Sequence, residues 1–306
     1  MNAPRLRPLG IGEILDVALK IYWRNLGTLF RIVLFVVAPV QVLSNLITVS
    51  ALPNDAFSSS SSEINGGDVA TSLTGFVVVT LLSFVASSLA TAACFKGVAD
   101  AYLGERANWR TSLRYSARRL ASVLWILVLG GVLTILGLVF CIVPGVYLYA
   151  AFAVALPVLM TEGLRGSKAL SRSRDLVGGR WWPTFAIVIL GSILASIVGF
   201  VFGLLLAVAS LANAGGVTAF VFGTLSGTLT AMITTPFKAA YTVVLYVDLR
   251  VRKEAFDLQL LARQIGVDLP EGAERPPLAP PPPPQFGGKE PPYWPPPPGW
   301  KPAEEE

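Results

Sequence analysis

The side chains that do most protein chemistry are thinly represented here: the 306 residues include no histidine and two cysteines. Without histidine the commonest general base and metal ligand is missing, and no Ser–His or Cys–His nucleophile pair can form. Cys94 and Cys141 lie in different apolar runs and no cysteine lies in a polar loop, which argues for small buried hydrophobes and against a disulfide framework or zinc site. Between their interfacial ends the apolar runs carry no Asp or Glu, whereas proton- and cation-coupled transporters place such groups at mid-membrane. Lys96 and Lys238 each follow a Phe at the end of an apolar run, where a long side chain snorkels to the surface. Glu162 is the carboxylate nearest a run end and is expected to pair with a neighbouring basic residue such as Arg165 in a structural ion pair. The residues therefore point to no catalytic group, metal or cofactor, and to a protein that is not an enzyme.

The elements that position these residues follow from composition. With 53% hydrophobic and 14% charged residues and a mean hydropathy of +0.62, the expected fold is all-α, a polytopic integral membrane protein of about six transmembrane helices. The net charge of +5 sits in short loops between apolar runs, where topology accounts for it without nucleic acid. Residues 162–183 set the orientation: Arg165, Lys168, Arg172, Arg174 and Arg180 outnumber Glu162 and Asp175, and such loops stay cytoplasmic. This connector is expected to hold a short helix capped by Ser167 and stopped by a left-handed Gly178, followed by Trp181 and Trp182 at headgroup level.

Taken in order, residues 1–27 are an N-terminal cytoplasmic segment. It contains an interfacial helix with Glu13, Asp16, Lys20 and Arg24 opposite Ile14, Leu15, Ala18, Leu19, Tyr22 and Leu26, ended by Gly27. Residues 28–247 form the six-span transmembrane domain. Its spans cover residues 28–49, 76–95, 120–143, 146–161, 184–212 and 217–236, and an acidic Ser/Gly-rich loop over residues 50–70 lies outside. The third and fourth spans are expected to turn at Pro144-Gly145. Beyond Pro236 the chain is expected to run along or out of the interface. A second connector carries a helix capped by Asn108, with Arg110, Arg114 and Arg118 on one face and Trp109, Leu113, Ser116 and Leu120 on the other. Residues 248–266 form a cytoplasmic amphipathic helix. Residues 267–306 are a disordered tail in which 15 of the last 37 residues are Pro, with Tyr293, Trp294 and Trp300 as possible anchors for a groove-type protein partner.

Three short amphipathic helices align. Leu15, Ala18 and Tyr22 match Leu113, Ser116 and Leu120, and these match Leu170, Ser173 and Val177; a span follows each, so the unit is an interfacial helix and then a span, repeated in parallel. The basic residues of these helices share one membrane surface. Lys20, Arg24, Arg110, Arg114, Arg118, Arg165, Lys168 and Arg172 are candidate contacts for anionic lipid headgroups. Gly199, Gly203 and Ala207, with Gly223 and Gly227, have small-residue spacing and are expected to pack the fifth span against the sixth.

Three stretches, LGIGEILDVALKIYWRN, LPVLMTEG with SRSRDLVGGRWW, and YVDLRVRKEAFDLQLL, resemble the membrane-domain family named after glycerophosphoryl diester phosphodiesterase, over about residues 7–262. Enzymes of that family carry their catalytic residues in an appended soluble barrel, which is not expected in this sequence. The resemblance therefore implies the membrane part alone, without diesterase activity, and matches Glu13, Glu162, Arg172, Ser173, Asp248 and Arg250 as topology and interface positions. The Pro/Trp tail looks like those of actinobacterial membrane proteins and implies a bacterial plasma membrane, with both termini cytoplasmic. The expected role is a membrane scaffold or accessory, or alternatively a permease or lipid transporter.

Overall fold

A chain whose apolar runs are broken only by glycine, proline and short charged segments has one economical way to satisfy its backbone, the helix. The computed structural model describes residues 9–51, 66–212 and 216–254, and these form ten helices and no strand. They are α1 (Ile11–Arg24), α2 (Leu26–Ala51), α3 (Gly66–Tyr102), α4 (Trp109–Arg118), α5 (Leu120–Phe140), α6 (Ile142–Ala151), α7 (Ala155–Glu162), α8 (Ser167–Val177), α9 (Trp181–Ala212) and α10 (Gly216–Glu254). Among the described residues five segments are long and apolar enough to cross a membrane, Leu26–Ile47, Leu73–Tyr102, Leu120–Phe140, Ile142–Glu162 and Trp181–Leu204. The sixth expected span, in α10, is not among them. The chain divides into two units, Met1–Val251 and Arg252–Glu306, and the described part of the second is the end of α10. The proline-rich tail expected over residues 267–306 lies outside the described residues.

The helix order is a short amphipathic helix followed by a long outgoing and a long returning one, three times over: α1 to α3, α4 to α7, and α8 to α10. The aligned middle positions Ala18, Ser116 and Ser173 are each fully buried, and so, one turn earlier, are Ile14, Ser112 and Ala169. The small residues among them, Ala18, Ser112, Ser116, Ala169 and Ser173, let a short helix lie close against long ones. Each short helix packs on the pair of long helices before it. Helix α4 lies on α2 and α3, and α8 on α5, α6 and α7. Helix α1 closes the cycle on the last pair, touching α9 and setting the Tyr22 ring edge-on to Phe237 of α10 at 6.2 Å.

Four local features depart from the sequence reading. Asn25, not Gly27, ends α1, its side-chain amide donating to the Ile21 carbonyl. The turn between the third and fourth spans is at the extended Cys141, and Pro144-Gly145 lies inside the first turn of α6. Proline costs no bond there, and a Cβ at Gly145 would stand 2.5 Å from the Leu138 backbone nitrogen, so this glycine admits the close approach of α6 to α5. Ser167 begins α8 without a side-chain cap, and the left-handed residue after it is Gly179 rather than Gly178. Finally, α10 does not leave the bundle after Pro236: residues 239–249 are buried without interruption. The buried stretch is mostly aliphatic and aromatic, with Thr242 and Asp248 its buried polar members.

The fourth span is broken midway. Pro157 has no N–H for the Ala153 carbonyl, and the chain turns through Phe152–Val154 before α7 begins. The Ala155 N–H bonds the Phe152 carbonyl, which frees that of Ala151, and the buried Ser173 hydroxyl of α8 donates to it at 2.7 Å. The helix break is thus closed by a side chain from the next repeat.

Candidate functional site

The polar residues that the fold does bring together surround the C-terminal end of α7. Gly163 stops that helix in the left-handed region and Gly166 turns the chain again, both at positive φ, so that α8 runs back and aims its second turn at Glu162. Arg172 then reaches the carboxylate, its Nε donating to Oε2 at 3.0 Å and its Nη2 to Oε1 at 3.5 Å. Arg165, the partner expected from the sequence, is exposed. Sequence proximity loses here to helical geometry.

From α10, Tyr246 and Arg250 share one face at i,i+4. The Tyr246 hydroxyl donates to Glu162 Oε1 at 2.8 Å, and the Thr161 hydroxyl donates to the Tyr246 oxygen at 2.8 Å. Arg250 Nη1 donates to the Tyr246 oxygen at 3.3 Å, while its Nε is 3.7 Å from Glu162 Oε1. Burial pushes the Tyr246 phenol well above its ordinary value, with Arg250 opposing the shift, so it stays a neutral donor at physiological pH. The side chains of Glu162, Arg250 and Arg172 are 15%, 16% and 30% exposed, which places the ion pairs out of bulk water but not in a dry core.

A third arginine completes the arrangement. Arg119, at the junction of α4 and α5, donates from Nη1 to the Leu159 carbonyl at 3.2 Å and stacks over the Tyr115 ring at 4.5 Å. Lys96 of α3 sits 5.2 Å from the centre of the same ring and pairs with Asp100 at 2.6 Å. The Tyr115 hydroxyl in turn donates to the Met160 carbonyl. Free carbonyls and the negative end of the α7 dipole are what cations at this end satisfy. Chemically the cluster is an ion-pair and hydrogen-bond clamp joining the second and third repeats. It offers a carboxylate engaged by Arg172, Tyr246 and Arg250 and guanidinia that stay charged, and among the described residues no three His, Cys, Asp or Glu side chains converge.

Residues 115–274, just over half of the chain, match the family described as a domain of unknown function, DUF8558. The chain belongs to the DUF8558 family. No curated protein and no solved structure matches it. The DUF8558 segment begins inside α4 and contains every member of the Glu162 clamp, Tyr115, Arg119, Thr161, Arg172, Tyr246 and Arg250, while α1 to α3 precede it.

The other sequence-derived candidates are spread over the surface or packed elsewhere. Lys20 is exposed and paired with Asp16 at 2.6 Å, and Arg24 is exposed in the last turn of α1. Arg110, Arg114 and Arg118 are exposed along α4, Arg110 resting over Trp109, and Asn108 caps that helix as expected. Lys168 is exposed, whereas Arg172 is committed to Glu162. Among the glycines, a Cβ at Gly199 would touch Thr230 of α10 at 3.4 Å, so this one does meet α10. A Cβ at Gly203 would meet nothing within 4 Å, and Gly223 and Gly227 face Asn45 and Gln41 of α2 instead of α9. The reason is polar: Asn45 donates to the Thr224 hydroxyl at 2.8 Å, drawing α2 rather than α9 onto that side of α10.

Sequence reasoning missed Arg119, Thr161, Tyr246, Gln41 and Asn45. Tyr246 and Arg250 did leave a signal, a tyrosine and an arginine one turn apart in the otherwise aliphatic YTVVLYVDLR. Asx and Gln side chains in the middle of the first apolar run were a second one, since amides in such runs seek partners on other helices.

Proposed function

We propose that this chain is an integral protein of a bacterial plasma membrane, with both termini cytoplasmic, that acts without enzymatic chemistry as a membrane scaffold or accessory. The observation that carries the reading is the exposure of large apolar side chains on the long helices: Phe140 is 83% exposed, Val139 76%, Ile142 72%, Phe76 70% and Phe200 70%. Water does not tolerate so much contiguous apolar surface on a monomer, and a bilayer removes the cost. The likeness to the membrane domains named after glycerophosphoryl diester phosphodiesterase belongs to the same reading, as does the gathering of anionic headgroups at Lys20, Arg24, Arg110, Arg114, Arg118, Arg165 and Lys168. The Glu162 clamp then has a structural duty, holding the broken fourth span and α8 against α10 at the cytoplasmic surface.

A second reading, a lipid transporter, is favoured by one feature, a groove of about 790 Å³ lined almost wholly by apolar side chains of α1, α2, α9 and α10. Affinity purification under mild detergent, followed by analysis of both the proteins and the lipids that copurify, separates the two. A stoichiometric protein partner is the result expected of the scaffold. A specific lipid without any partner would replace it with the transporter.

A further inference from the structure

The three pairs of long helices differ in length. The outgoing helices α2, α5 and α9 have 26, 21 and 32 residues, and the returning arms α3, Ile142–Glu162 and α10 have 37, 21 and 39. The middle pair is the shortest on both arms. Its turn also differs in kind from the sequences that join the other pairs. Residues 52–65 bring Asn54, Asp55, Glu63 and Asn65, and residues 213–215 bring Asn213. The turn at Cys141 instead lies among Val139, Phe140, Ile142 and Val143, which are among the most exposed apolar side chains of the protein. A loop that surfaces in water is polar.

Contacts with α9 limit how far this turn reaches. Arg180 directly precedes Trp181 and Trp182, a charge and two indoles that belong at headgroup level. The Trp181 ring stacks on Tyr147 of α6 at 6.1 Å, and its Nε1 donates to the Tyr147 carbonyl at 3.2 Å. Cys141 is six residues from Tyr147, so the turn lies only about 9 Å beyond that level at ~1.5 Å per residue. The other arm sets an upper bound. Exposed Trp125 aligns with Trp182 at the same offset that matches Ser116 to Ser173, and the sixteen residues from it to Cys141 span at most about 24 Å even if α5 stands upright. Both distances fall short of a hydrocarbon core roughly 30 Å thick. The turn is also economical in unpaired backbone: the Cys141 N–H donates to the Gly137 carbonyl at 2.9 Å, the Gly145 N–H to the Cys141 carbonyl at 3.4 Å, and Pro144 has no N–H. We propose that the α5–α6 hairpin enters the bilayer from the cytoplasmic side and turns back inside the hydrocarbon, with residues 139–143 docked among phospholipid acyl chains. The inference rests on the bilayer reading above and leaves both termini on the side already assigned. A hairpin so placed is an anchoring surface for a scaffold, and it forms no wall of a path across the membrane.

The test uses the cysteine already in the turn. Cys94 is buried and Cys141 exposed, so the full-length wild-type protein in mild detergent takes a thiol-reactive nitroxide at Cys141 alone. After reconstitution into vesicles of phosphatidylglycerol and phosphatidylethanolamine, collisions of that nitroxide with dissolved oxygen should exceed those with a water-soluble nickel chelate several-fold. A nitroxide at Ser60→Cys, with Cys94 and Cys141 replaced by Ala, should show the reverse. In a second arm, an impermeant thiol reagent should leave Cys141 unmodified on intact cells and also after the membrane is opened. Modification of Cys141 from either side, or nickel collisions equal to those at Ser60→Cys, overturns the proposal. Release of the protein from membranes by alkaline carbonate would instead overturn the bilayer reading itself.

Discussion

At the scale of single residues the protein is governed by a few half-buried polar groups whose partners lie far away in sequence. Glu162 accepts from Arg172 and Tyr246 and faces Arg250, so Glu162→Gln keeps an acceptor for the phenol but leaves two guanidinia without their counter-charge. The expected cost is about 1–3 kcal/mol, seen as a lowered thermal midpoint in detergent, whereas Arg165→Gln at an exposed position should change it little. Equal midpoints for the two variants would remove the clamp as a stabilising device. Ser173→Ala tests the closure of the broken span in the same way: it strips the only side-chain donor described at the Ala151 carbonyl, for about 1–3 kcal/mol, with exposed Ser171→Ala as the reference. The importance of Glu162 was legible in the sequence because a carboxylate at the end of an apolar run needs a partner. Which arginine serves was not, because the choice depends on Gly163 and Gly166 turning α8 back, and backbone sign is invisible in composition.

At the scale of helices, glycine spacing by itself misplaces the contacts. Gly203 and Gly227 look alike in sequence, each the second member of a Gly-xxx-Gly pair, yet one faces open space and the other the Gln41 side chain, 2.5 Å from where its Cβ would be. Gly227→Leu should therefore lower the thermal midpoint, by about 1–3 kcal/mol of forced repacking, while Gly203→Leu should be tolerated. The opposite order would return the packing to α9 against α10 as the spacing alone suggests. Helix existence and amphipathic faces were read correctly for α1, α4 and α8, where alternation of charge and apolar side chains at helical period is strong; Arg110, Arg114 and Arg118 are all exposed and Ser116 and Ser173 fully buried. Boundaries were not, since Pro144 is tolerated inside a first turn and Pro157 interrupts a run that hydropathy treats as continuous.

At the scale of the whole molecule, three short helices each packed on the preceding pair of long ones describe a closed set of parallel repeats, with apolar surface left on the outside of the long helices and basic residues on the short ones. Under the proposed bilayer reading the basic short helices are expected at one membrane face and the acidic, Ser-rich sequence around Ser60 at the other. Single cysteines at Ser60 and Ser171 test it most directly, in a background where buried Cys94 and exposed Cys141 are replaced, using an impermeant thiol reagent on intact cells. Labelling of Ser60→Cys from outside, with Ser171→Cys reacting only after the membrane is opened, is the predicted result. Reaction of both in intact cells would contradict the account, because α8 could not then share the cytoplasmic face with α1 and α4.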